Sequence, residues 1–171
     1  MNSTYHRIAG LINHLHILHR IYIQRAALSN GLFLGQLPIL EYIIEHSQCT
    51  QAEVAESLQV SPPSIATSIK RMQKAGLLSK VRSEKDCRTN RITVTEKGLQ
   101  TAERSRAAFD AVDAGMFAGF SAEECDVFQG FLNRQIANLD TGEFKNKTFF
   151  AMLDAAKAET ELINKGESKH A

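Results

Sequence analysis

A change of hydrophobic period in mid-chain constrains the fold more than any other feature. Between Thr50 and Gly76 apolar residues recur at helical spacing, whereas Leu78-Ser79-Lys80-Val81-Arg82 and Arg91-Ile92-Thr93-Val94-Thr95 alternate apolar with polar. The helical part divides in two. Thr50-Gln51-Ala52-Glu53 has the Ser/Thr-x-x-Glu form of a capping box and opens a short helix carrying Val54, Ala55 and Leu58. Ser61 is placed to cap the next helix, with Pro62 at its first position, where a missing N–H does no harm. That helix has Ile65, Ile69 and Met72 on one face and stops at Gly76. The two alternating runs, joined by the polar stretch from Ser83 to Asn90, predict a β-hairpin with a charged tip. Thr95 then caps a long helix bearing Leu99, Ala102, Phe109, Val112 and Met116.

The flanks are helical as well. Ser3 to about Leu28 has Ile8, Leu11, Ile12, Leu15, Leu18 and Tyr22 at helical spacing, and Ile17, Ile21 and Ile23 add a second apolar face. A first helix with two faces to bury is expected to meet another subunit. Ser29-Asn30-Gly31 ends it, and a second helix runs from about Gly35 to His46. Ser121-x-x-Glu124 is another capping box, opening a helix with Val127, Phe128, Phe131, Leu132, Ile136 and Leu139 on one side. Thr141-Gly142 is a break, and Phe149 to about Ile163 reads as one more helix. The expected fold is mostly α with a small antiparallel β-hairpin (α+β): a dimeric winged helix-turn-helix. Four regions are expected: an N-terminal dimerisation helix (1–34), the winged helix-turn-helix (35–98), C-terminal dimerisation helices (99–142) and an extra helical tail (143–171).

Charge narrows the function. Net charge is only +1, yet residues 61–97 carry nine Lys/Arg against three acids, while residues 1–60 and 98–171 are net negative. A basic patch confined to one window is the footprint of a polyanion-binding surface. No Gly-rich phosphate loop, nucleophile elbow or metal-ligand motif accompanies it, so no enzyme, cofactor or metal is expected. No apolar run approaches the roughly 18 residues of a membrane span, and a cytoplasmic protein with reduced cysteines is expected.

A helix pair with a basic hairpin suits duplex DNA, because a helix fits the major groove and meets base edges with its N-terminal residues. The second helix of the pair offers Ser61, Pro62, Pro63, Ser64, Thr67 and Ser68 at its tip and polar face, with Lys70, Arg71 and Lys74 within reach of phosphates. The hairpin offers Lys85 and Arg88 at its tip, and Arg82 and Arg91 at the strand ends. Arginine at a loop tip suits a narrow minor groove, where the potential is most negative.

From about Leu11 to Leu139 the chain resembles the MarR family of bacterial transcriptional regulators. The residues that carry the resemblance are Thr50 to Ala55, Val60-Ser61, Ile65, Ile69, Arg71, Met72 and Gly76-Leu77-Leu78, with Asp86-Cys87-Arg88 and Ile92 to Gly98 in the wing. The resemblance implies a homodimer formed by the first and last helices, on a pseudo-palindromic double-stranded operator with half-sites roughly 34 Å apart. It assigns Arg88 to a minor-groove contact, with Asp86 orienting it through a salt bridge. It implies repression relieved by a small-molecule effector held between the DNA-binding lobe and the dimer helices; His14, His16, His19 and Tyr22 are the residues expected to line that pocket. Two positions depart from the family: Thr67 stands where many relatives have Arg, and Cys87 where many have a basic residue. They leave open the alternative of a winged-helix protein acting mainly through protein–protein contacts, with weak or no DNA binding.

Overall fold

The computed structural model describes residues 3–82, 90–153, 155, 156 and 158. Helix α1 (Ser3–Ser29) leads to α2 (Gln36–Glu45), α3 (Gln51–Leu58) and α4 (Pro62–Lys74). Strands β1 (Leu78–Arg82) and β2 (Asn90–Val94) follow, then α5 (Glu96–Met116) and α6 (Ala122–Leu139). The backbone is helical again at 149–153.

Local chemistry sets most of these boundaries. Both capping boxes form. The Thr50 N–H donates to Glu53 Oε2 at 2.6 Å, and the Glu53 N–H to Thr50 Oγ1 at 3.2 Å. The Ser121 and Glu124 pair does the same at 2.8 and 3.2 Å. Three helix ends share one wrap, in which the amides of Leu32, Val60 and Leu77 donate back to Ala27, Ala55 and Met72 at 2.9 to 3.0 Å. The residue before each is left-handed: Gly31, Gln59 and Gly76 (φ 76°, 52° and 74°). Ser61 departs from expectation, because its side chain makes no cap bond to the helix. A cap bond needs the N–H of the second or third helical residue. Pro63 has none, and that of Ser64 is taken by Ser61's own carbonyl at 3.0 Å.

The core lies where α2, α3 and α4 meet the base of the hairpin and the first turns of α5. Leu37, Leu40, Ile43, Val54, Ile65, Ile69, Met72, Leu78, Ile92 and Ala102 are all buried there. The strands pair antiparallel from Leu78 opposite Val94 to Arg82 opposite Asn90. A one-residue bridge, Cys49 against Ile92, adds to the sheet, with the Ile92 N–H donating to the Cys49 carbonyl at 2.8 Å. Cys49 is thus buried between the α2–α3 loop and the wing, and that burial pushes its thiol pKa up. Helix α5 then runs out of the core to α1. On the way Arg106 grips Glu41 of α2 through Nε (2.7 Å) and a terminal nitrogen, and Asp113 bonds His19 of α1 at 2.8 Å.

The apolar sides expected of α1 and α6 form, but the single chain leaves them uncovered. Among the described residues Ala27 alone is buried on α1, and none is buried on α6. Leu11, Leu15, Ile17 and Leu18 of α1 stay exposed, as do Val127, Phe131, Ile136 and Leu139 of α6.

Candidate nucleic-acid interface

Helix α4 is two-sided. Ile65, Ile69 and Met72 are buried, and on the opposite side Pro63, Thr67, Lys70 and Lys74 stand exposed at helical spacing. Ser61, Pro62, Ser64 and Arg71 are also exposed, and Ser68 is half-buried. Arg71 and Lys74 occupy the last turn, where the helix dipole favours cations. The helix carries no acidic residue, so nothing on it neutralises its three charges.

The tip of α4 is partly apolar. With prolines at its first two positions, α4 has no N–H there, and pyrrolidine carbon is presented instead. The Thr67 hydroxyl donates to the Pro63 carbonyl at 2.9 Å, and the Ser61 hydroxyl to Ser64 Oγ at 2.8 Å. With that proton engaged, Thr67 faces outward as an acceptor, suited to the exocyclic amino groups of adenine or cytosine. The Arg71 guanidinium lies over the Phe33 ring at 5.7 Å, which fixes its direction.

The hairpin is fastened at both ends. Arg91 donates to the Gln48 carbonyl at 3.0 Å and lies 3.9 Å from Glu53, so it clamps β2 to the start of α3. The sequence placed Arg91 among the DNA-contacting groups; its guanidinium is partly engaged within the fold. Backbone and side-chain bonds from Thr50 hold the Glu53 carboxyl below its ordinary pKa. At the other end the Thr95 hydroxyl accepts from Gly98 N at 3.1 Å and donates to the Gly76 carbonyl at 2.7 Å. Lys97 Nζ donates to the Ala75 carbonyl at 2.8 Å. The end of α4, the wing and α5 are thereby joined at one knot. Arg82 is described in its backbone alone. Lys85, Asp86, Cys87 and Arg88, with the expected Asp86–Arg88 pair, lie outside the described residues.

Behind α4 lies a cleft of about 760 Å³, lined by α1, the start of α2, α4, α5 and residues 149–153. Of the four residues expected at an effector pocket, His16 and His19 line this cleft. His14 and Tyr22 do not: they sit on exposed faces of α1, with Tyr22 beneath Arg25 at 5.6 Å. Ser64 and Ser68, assigned to the DNA face from sequence, also line this cleft. The aromatic walls, Phe33, Phe109, Phe149 and Phe150, were not foreseen as a group. They come from three segments far apart in sequence, and no spacing rule links them.

Comparisons with known proteins agree with this architecture. Residues 30–89 match the model of the MarR family. An HTH-type transcriptional regulator of Bacillus subtilis, YwhA, is 30% identical over 90 residues, which is 53% of this chain and 65% of that protein. The match therefore spans just under two thirds of that relative. A solved MarR family transcription regulator is 25% identical with a TM-score of 0.62, over 82% of this chain and 99% of that chain. A mutant of S. aureus MepR bound to an oligodeoxyribonucleotide shares the fold, with a TM-score of 0.60 at 19% identity over 77% of this chain and 97% of that one.

Proposed function

The chain belongs to the MarR family through its helix-turn-helix module at residues 30–89, and from that premise we propose that it is a sequence-specific DNA-binding regulator, a repressor relieved by a small molecule. The observation that carries the reading is the outer side of α4, where Thr67, Lys70 and Lys74 are exposed directly opposite the buried stripe. A helix so anchored presents cations and an acceptor on a rigid support, which is what major-groove recognition needs. Arg88 and Lys85 of the hairpin tip would extend the contact into the minor groove.

The regulator acts as a homodimer in this reading. The uncovered apolar residues of α1 and α6 support it, because contiguous exposed apolar faces of this kind mark association surfaces. Two recognition helices then meet successive major grooves, and any ligand that alters their separation shifts the population able to bind.

Selection of binding sites from random duplexes, followed by a salt titration on the selected site, tests the proposal. A two-fold symmetric motif is expected. Lys70→Ala and Lys74→Ala should each lower affinity and flatten the dependence of log K on log salt by about one unit for each phosphate no longer neutralised. The double proline at the tip of α4 favours the second reading, a winged-helix protein working through protein contacts. Failure to enrich any motif, with affinity independent of both lysines, would establish that reading instead.

A further inference from the structure

The cleft behind α4 owes one wall to a part of the chain that the family resemblance does not reach. Residues 143–153 cross back over the α3–α4 turn and bring Phe149, Phe150 and Leu153 to the cleft. Phe150 is seated against Gly35, where an added Cβ would stand 3.3 Å from its ring. The segment is moored by three hydrogen bonds. The Thr148 hydroxyl donates to the Leu58 carbonyl at 2.8 Å, the Thr148 N–H to Gln59 Oε1 at 3.2 Å, and Gln59 Nε2 to the Asn146 carbonyl at 3.2 Å.

Gln59 is an unusual residue for its place. It is left-handed, at φ 52°, where the equivalent residues ending α1 and α4 are glycines. Glycine would adopt that conformation with less strain, and a side chain there needs a compensating contact. Both ends of the Gln59 amide are used on the tail. Gln59 is also two residues before Ser61, which begins the recognition helix.

We propose that residues 143–153 are a lid on this cleft, that the lidded cleft takes a mainly apolar molecule bearing an anionic group, and that the mooring on Gln59 couples its occupancy to the aim of α4. The ligand class follows from the lining. Phe33, Phe109, Phe150 and Leu153 offer an apolar enclosure, while Arg20 and His16 supply cationic and hydrogen-bonding groups on the α1 side. The volume of about 760 Å³ lies within the range of small-molecule sites. The coupling follows from topology. A molecule in the cleft touches the lid on one side and Ser64, Ile65 and Ser68 of α4 on the other, so pressure on the lid reaches the turn that sets the direction of α4. Binding beneath the lid stands without the regulator reading; the coupling rests on it.

The test uses the full chain and the apolar anion 8-anilinonaphthalene-1-sulfonate as probe. The protein has no tryptophan, so Phe149→Trp, at a side chain 58% exposed, introduces a lone emitter in the lid. Saturable energy transfer from that emitter to bound probe is expected; its absence would overturn the site. Gln59→Gly keeps the left-handed turn and removes two of the three mooring bonds, those made by the Gln59 amide. It should weaken probe binding about tenfold, as should Phe150→Ala with Leu153→Ala, while thermal unfolding stays cooperative. Unchanged probe affinity in both variants would overturn the lid. Saturating probe should lower operator affinity at least severalfold in the unaltered protein and lose that effect in Gln59→Gly. Probe bound beneath the lid with operator affinity unmoved would overturn the coupling. A protein that binds probe as described yet selects no DNA motif would overturn the regulator reading and leave the lid standing.

Discussion

Gly98→Ala probes how the wing is seated on the recognition helix. In the first turn of a helix alanine is ordinarily favoured over glycine by up to about 1 kcal/mol. At Gly98 the added Cβ would stand 2.2 Å from the Leu77 carbonyl oxygen and 2.6 Å from Val94 Cγ2. Carbon contacts are comfortable near 3.5 Å, so the start of α5 must withdraw by about 1 Å. The Leu77 carbonyl has little freedom to retreat, since it accepts from the Thr95 N–H at 3.0 Å. Overpacking of this kind costs about 1–3 kcal/mol, and loss of the Thr95–Leu77 bond about 1 more. Set against the helical gain, a destabilisation of about 2–3 kcal/mol is expected. For a chain of this length that lowers Tm by about 4–12 °C. Urea and thermal unfolding at fixed protein concentration measure it. Gly115→Ala is the control, because nothing lies within 4 Å of a Cβ built there; it should be neutral or stabilise by up to about 1 kcal/mol. Operator affinity should fall in Gly98→Ala with its salt slope unchanged, as Lys70, Arg71 and Lys74 are all retained. Equal stability of Gly98→Ala and the unaltered protein would refute the seating argued from these distances.

Three further outcomes are expected. Glu53 has a depressed pKa through its bonds to Thr50, so the capping box contributes stability above the ordinary carboxylate range, and that contribution is lost as pH falls through the lowered value. The stability gap between the protein and Glu53→Ala should hold steady above about pH 5 and close below about pH 4; a gap independent of pH would place its origin elsewhere. The proline-capped tip of α4 should read thymine methyls by apolar contact, so uracil in place of thymine at the contacted positions should weaken binding by about fourfold each, taking ~0.8 kcal/mol for a buried methyl-sized group. Equal affinity for both duplexes would remove Pro62 and Pro63 from base readout. Leu15→Glu and Ile136→Glu should each yield a monomer in sedimentation and abolish tight operator binding; a dimer surviving both would show that α1 and α6 are not the interface.

Much of the fold was legible because its signals are local. Thr50-x-x-Glu53, Ser121-x-x-Glu124 and Thr95 each satisfy amides three residues away, and the period change at Leu78 follows from the pleat of a strand. Ser61 misled for an equally local reason: a cap residue needs a donor ahead of it, and the double proline withholds one. The engagement of Arg91 with Gln48 was hidden, since nothing near residue 91 announces a carbonyl 43 positions earlier. The bridge between Cys49 and Ile92 was hidden in the same way.

Sequence alone determined the order of helices and hairpin, the placement of charge in one window, and the division of α4 into an apolar and a cationic face, because side-chain spacing and capping depend on neighbours within about four residues. The tertiary structure decided which apolar faces were covered, that residues 143–153 return to moor on Gln59, and that two serines of α4 line a cleft. Those outcomes depend on which distant surfaces meet, and a free energy of contact between segments nearly 90 residues apart has no counterpart in the pattern of either segment by itself.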